Sequence, residues 1–141
     1  GISANTKRGD LIRAIMEGVA YSLRDSFEIF GEMGVPVKQV RASGGGGRSE
    51  LWRQIQADVF GREIVTINAT EGPAYGVALL AGVGTGLWSS VEEACAASIR
   101  VVTRQKPDKV NVATYNAFYP TYRALYGALK PHFDRVTEIV V

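Results

Sequence analysis

Apolar residues return every three or four positions through the first part of the chain: Leu11, Ile12, Ile15, Met16, Val19, Ala20, Leu23, Phe27 and Phe30. The spacing predicts one long amphipathic helix over residues 6–30. Gly31 and Gly34 are suited to stop it, and Pro36 opposes continuation. Residues 37–43 then read as a strand. Leu51, Trp52, Ile55, Val59 and Phe60 predict a second helix that ends at Gly61. Residues 63–67 are a short β-branched strand. Pro73 fits a first helical turn, and residues 74–87 form a helix of small side chains. Ser90-Val91-Glu92-Glu93 is a capping box that opens a short helix to Ala97. Residues 99–103 look extended. The last helical stretch, 112–135, holds Pro120 and Pro131, which predict a kink or break.

The order α-β-α-β-α-α-β-α predicts an α/β domain with helices packed on a small sheet. The strands are few for so many helices, so apolar helical surface should remain uncovered. The chain also opens into a helix with no strand before it. Both points lead to the expectation that residues 1–141 are one domain, the C-terminal piece of a larger protein, or that a partner completes the sheet.

Between the first strand and the second helix stands Ser43-Gly44-Gly45-Gly46-Gly47-Arg48-Ser49. Four glycines in a row are poor for strand and helix alike, because glycine loses the most backbone entropy on ordering. Here they answer a need for a sharp turn, or for bare backbone that a ligand can approach. The N–H groups at the start of a following helix suit a phosphate or another electron-rich group. A flexible linker is the plainer reading, but linkers seldom separate two strongly patterned segments.

Composition narrows the function. The chain has 141 residues, 46% hydrophobic, enough for a real core. Sixteen Lys and Arg stand against 14 Asp and Glu, for a net charge of +2, and the signs are interspersed. Nothing resembles the basic face of a nucleic-acid binder or a membrane-binding patch, so neither partner is expected. No apolar run is long enough to span a bilayer, and the early residues lack a signal-peptide pattern. The single Cys95 excludes an internal disulfide. These features point to a cytoplasmic location.

Candidate chemistry is sparse. Arg48-Ser49 follows the glycines without the Lys of a phosphate loop, and Ser49 breaks the dinucleotide fingerprint begun at Gly44. His132, the only histidine, reads as a surface or packing residue, and no His/Cys cluster has metal-ligand spacing. Cys95 lies among alanines and reads as a buried small residue. Asp58 and Glu71 are carboxylates near the glycines, with a solvated or capping role as the plainer alternative. Arg41, Arg48 and Arg53 flank the run and suit either phosphate or surface ion pairs. Trp52 and Tyr75 suit either a base pocket or the core.

The residues from Ser43 through Ser49-Glu50-Leu51-Trp52-Arg53-Gln54-Ile55-Gln56-Ala57-Asp58-Val59-Phe60-Gly61 closely resemble the adenine-binding segment of the FGGY carbohydrate kinases. Thr70-Glu71-Gly72-Pro73-Ala74-Tyr75-Gly76 and the residues after it, to Gly86, are similar to the helix that follows in that family. Arg13 to Asp25 resembles its first long helix of this region, and Tyr122-Arg123-Ala124-Leu125-Tyr126 its final helix. Within the family the wording looks most like xylulokinases, with gluconokinase-like and ribulokinase-like members left open.

The resemblance implies a ribonuclease-H-like fold of the actin and hexokinase type, present here only in part. It implies ATP in a cleft between two such domains, and transfer of a phosphoryl group to a sugar hydroxyl with help from Mg²⁺. D-xylulose is the sugar it favours. Gly45 and Gly46 match the glycines that pack on the nucleotide, Gly44 makes the turn, and Ser49 matches a position facing adenine where relatives often carry Asn. Gly47 stands where other residues are common and should tolerate them. The family's phosphate hairpin, sugar-binding residues and catalytic Asp precede the matched region. No catalytic or metal-holding residue is therefore expected in this chain, which alone should be inactive. Two other readings stay open: a scaffold module pairing through an open sheet edge, for instance as a homodimer, and an actin-like ATPase without a sugar acceptor.

Overall fold

The computed structural model describes residues 2–69 and 72–140, with the side chain of Val140 left out. The predicted long helix is α1 (Arg8–Glu32). Asp10 helps start it by accepting the Lys7 N–H at 2.9 Å. It ends in a Schellman motif. Gly34 adopts φ +70°, its N–H reaches the Gly31 carbonyl, and the Val35 N–H reaches Phe30 at 2.8 Å. Gly34 is thus the stop, two residues beyond the last helical residue.

The first strand is shorter than its pattern suggests. β1 is Val40–Arg41, because only these residues, with Ala42 just beyond, find a partner. They pair in parallel with β2 (Ile64–Ile67), Val40 opposite Ile64 and Arg41 opposite Val65. The third strand, β3 (Val101–Gln105), runs antiparallel to β2, with a register shift between Thr66 and Ile67. The order β1-β2-β3 leaves β1 on an edge.

The glycines make the expected sharp turn at Gly44, but, although poor for helix, they also wind into α2 (Gly44–Arg48), a single short helical stretch. Gly44 reverses the chain at φ +67°, which only glycine adopts without strain. Ser49 then caps α3 (Glu50–Phe60), its hydroxyl oxygen accepting the Trp52 N–H at 3.2 Å. Gly61, at φ +62°, ends α3 where predicted.

A helical hairpin follows: α4 (Gly72–Gly84) and α5 (Val91–Ser98). Gly82 makes room for the Trp88 ring, since a Cβ there would lie 2.4 Å from it. The Ser90 hydroxyl caps α5 by accepting the Glu93 N–H. The Glu93 carboxylate reaches one residue further out than a capping box requires, to the Ser89 N–H and hydroxyl. Those bonds hold the Glu93 carboxyl below the usual carboxylate range. The chain closes with α6 (Lys109–Val140), which runs unbroken through Pro120 and Pro131. Of the predicted kink or break, the break is absent. The N–H bonds these prolines cannot give would have gone to Asn116 and Gly127, both exposed, so water can serve those carbonyls.

α3 is the centre of the molecule. On one side it packs on the sheet, where Ala57, Ile64 and Val65 are fully buried. On the other, Ile55 and Val59 meet Ala20 and Tyr21 of α1 and Tyr115 and Tyr119 of α6. Burying a side chain like Ile55 is worth about 1.5–3 kcal/mol. Tyr21 stacks on Tyr122 with ring centroids 5.0 Å apart and donates to the Tyr115 carbonyl at 3.0 Å. Burial pushes its phenol up to about 12. Arg24 spans the three helices. Its Nη1 donates to the Val59 carbonyl and to Asn116 Oδ1, and its guanidinium lies 4.0 Å above the Tyr119 ring. Met16 and Phe27 are half-buried, but much of the apolar stripe on α1 is uncovered: Ile15 is 69% exposed and Val19 49%. So is α6 beyond Tyr122. This matches the shortage of covering sheet read from the sequence.

Candidate functional site

The glycine turn follows the carboxyl end of β1, an edge strand of the sheet. Each of its four glycines has a different surrounding. Gly44 is required by its positive φ. A Cβ on Gly46 would stand 3.2 Å from the Trp52 indole. Gly47 is buried, and a Cβ there would come within 3.1 Å of the Ala42 carbonyl group. A side chain at Gly47 would therefore need the Ala42 carbonyl to give by a few tenths of an ångström, a crowding that the expected tolerance did not include. Gly45 alone has neither reason: its φ is ordinary and nothing lies within 4 Å of where its Cβ would be. The fold accounts for three glycines and leaves the fourth bare.

The turn is a wall between two clefts. One, of about 320 Å³, is lined on the α1 side by Phe27, Phe30, Trp52 and Phe60, with Gly46 and Gly47. The other, of about 310 Å³, is mixed in character, with Arg48, Arg53 and Thr66 beside Ala42 and Ile67, facing Ser43, Gly44 and Gly47. A larger cleft of about 480 Å³ lies elsewhere, between α1 and α6 beside Arg13, Glu17 and Tyr115.

Gly44, Gly45, Gly46 and Ser49 lie together along this turn. Ser49 is committed as a cap through one lone pair, so its hydroxyl proton is free to be donated. Trp52 serves both readings, since it packs under Gly46 and lines the aromatic cleft. Arg53 Nη1 donates to the Gly47 carbonyl at 2.6 Å. Arg41 instead bonds Gln39.

The other candidates stand elsewhere. Tyr75 donates to the Ser98 carbonyl and ties α4 to the end of α5. His132 is exposed on α6, and Cys95 is half-buried where enclosure was expected. Glu71 and Thr70 lie outside the described residues. Asp58 is 1% exposed and structural. Its carboxylate accepts Gln54 Nε2, the Asp108 N–H at 2.8 Å and Asn111 Nδ2 at 2.9 Å, fastening the start of α6 to α3. Three donors leave it no role as a base. Among the described residues no three His, Cys, Asp or Glu side chains gather where they could hold a metal ion. None of the described helices is long and apolar enough to cross a membrane.

The sequence signal missed two features. One is Ala42 behind Gly47, a contact made by folding the turn back on the strand. The other is Arg53, whose reach follows from helix geometry. Side chains lean toward a helix N-terminus, so a residue one turn inside α3 covers the end of α2.

The model of the FGGY family of carbohydrate kinases, C-terminal domain, matches residues 1–85. The chain belongs to that family. A xylulose kinase of Bacillus subtilis is 36% identical over 130 residues, covering 92% of this chain and 26% of its own length. The crystal structure of a Rhodospirillum rubrum xylulose kinase superposes with a TM-score of 0.82 at 32% identity, over 95% of this chain and 27% of that one. A gluconate kinase of Lactobacillus acidophilus superposes with a TM-score of 0.79 at 25% identity, over 92% of this chain and 26% of that one. The chain thus spans about a quarter of the length of the FGGY relatives it matches. Its fold is that of the FGGY kinases, the ribonuclease-H-like type shared with actin and hexokinase.

Proposed function

We propose that this chain forms the C-terminal, nucleotide-facing domain of a carbohydrate kinase, and that Gly44, Gly45, Gly46 and Ser49 form its adenine-facing wall. The observation that carries the reading is Gly45. Its bare backbone answers nothing inside the protein, and it belongs to a loop matched by the family. A flat group can lie on such a surface without meeting a side chain. Ser49 then donates its free hydroxyl proton to an acceptor on the base, where an Asn amide would offer a donor and an acceptor.

The reaction is transfer of the terminal phosphoryl group of ATP to a sugar hydroxyl. D-xylulose is the acceptor we favour, because xylulose kinases recur among the relatives in both sequence and structure. The gluconate kinase likeness makes gluconate the second candidate. In such transfers positioning and charge neutralisation dominate, and a carboxylate accepts the hydroxyl proton. This chain positions the nucleotide. The proton acceptor, the sugar site and the Mg²⁺ ligands are assigned to other parts of the kinase, and Asp58 is too fully engaged to substitute.

Gly45→Val puts a branched side chain on the nucleotide face and abolishes nucleotide binding, measured by calorimetric titration with ATP and ADP. Unchanged affinity overturns the reading. The 141-residue chain by itself produces no ADP in response to D-xylulose or gluconate, and sugar-dependent ADP formation would refute the division of labour. A scaffold role draws on the free edge of β1. Sedimentation showing a tight oligomer without nucleotide affinity would favour it.

A further inference from the structure

Arg53 grips the glycine turn from the neighbouring helix α3. Its Nη1 donates to the Gly47 carbonyl at 2.6 Å, a short charge-assisted bond. Gly47 is also the residue pressed against Ala42, so its carbonyl is the point where the turn is held from both sides. The last carbonyls of any helix lack partners within it. Here the Ser49 N–H takes that of Gly46, and Arg53 takes that of Gly47, placing a cation at the carboxyl end of α2. The side chain keeps this position although its Nε is buried and unpartnered, the only such side-chain atom among the described residues. An arginine free to choose would turn Nε toward water. Its setting on α3, between Trp52 and Gln54, directs it back over α2 instead.

We infer that Arg53 is a positioning residue for nucleotide binding: by fixing the Gly47 carbonyl it holds the short helix that presents Gly45. It acts through the loop and does not itself contact the base. The inference rests on the reading of the glycine turn as a nucleotide wall.

The test uses steady-state kinetics of the complete kinase polypeptide that carries this chain, with Gly45→Val run in parallel. Arg53→Met is expected to raise the KM for ATP about tenfold, the scale of one lost charge-assisted hydrogen bond. The KM for the sugar should stay unchanged. Arg53→Lys, whose ammonium can still donate to one carbonyl, should recover most of the loss, and amide exchange of residues 46–48 should quicken in Arg53→Met alone. A merely structural role would instead lower thermal stability without splitting the two KM values. The proposal is overturned by an unchanged KM for ATP, by equal rises in both KM values, or by a Lys variant as poor as the Met one. If Arg53→Met does not fold, Arg53→Gln replaces it under the same expectations. Should Gly45→Val leave the KM for ATP unchanged, the nucleotide reading itself falls. If Gly45→Val raises it and Arg53→Met does not, only the role of Arg53 falls.

Discussion

The two ends of α3 are built on opposite principles. Toward its carboxyl end, Ile55 and Val59 are locked by side chains: an aliphatic pair against Ala20, Tyr21, Tyr115 and Tyr119. At its amino end, the glycine turn has almost no side chains and is held by backbone groups, by Ser49 as cap and by Arg53 as clasp. The first arrangement loses stability when an atom is removed. The second is upset when an atom is added. A substitution series along one helix should therefore change character within two turns.

The core end should give the largest effect on stability. Ile55→Ala leaves a cavity at the junction of three helices and is expected to cost about 2–5 kcal/mol, read by urea denaturation. Nucleotide affinity per folded molecule should not change. A loss under 1 kcal/mol would mean that the junction collapses to fill the space, and the contrast would weaken.

At the turn, Gly47→Ala should cost about 1–3 kcal/mol, because its Cβ must displace the Ala42 carbonyl. Gly45→Ala should be neutral or stabilising by up to about 1 kcal/mol, since its methyl enters open space in a helical conformation. The pair separates glycines required by the fold from the one available to a ligand. Equal thermal shifts for the two variants would erase that distinction.

At neutral pH the buried tyrosines show no such effect, and theirs is expected only at high pH. Burial raises the phenol of Tyr21 from 10.0 to about 12, and raises those of Tyr115 and Tyr119 as well. The folded state thus prefers the protonated phenol. Its contribution is complete below pH 10 and is lost as the pH climbs through about 12. Tyrosinate absorbance should appear with unfolding in that window. Ionisation of every tyrosine near pH 10 in a chain that is still folded would contradict the packing described for Tyr21.

Periodicity made α1 and α3 legible, and Gly61 ended α3 where its position implied. Local rules failed where a distant partner decides. β1 shrank to Val40–Arg41 because a strand is defined by its neighbour, and residues 37–39 have none. The prolines of α6 did not break it, because the carbonyls they strand are wet. The site followed the same division. The place of the glycine run could be read, whereas the crowding at Gly47 depends on Ala42, five residues back and folded against it. Asp58 could not be sorted from catalytic carboxylates until its three donors were seen, two of them some 50 positions away.

Asp58 also bears on where this unit of structure ends. The family model stops at residue 85, yet Asp58 takes two of its hydrogen bonds from Asp108 and Asn111, and the core takes Tyr115 and Tyr119 from beyond that limit. A polypeptide trimmed where that model stops would expose a carboxylate stripped of two donors and the hollow left by two aromatic rings. The line at which the family model stops is not one along which this molecule can be cut.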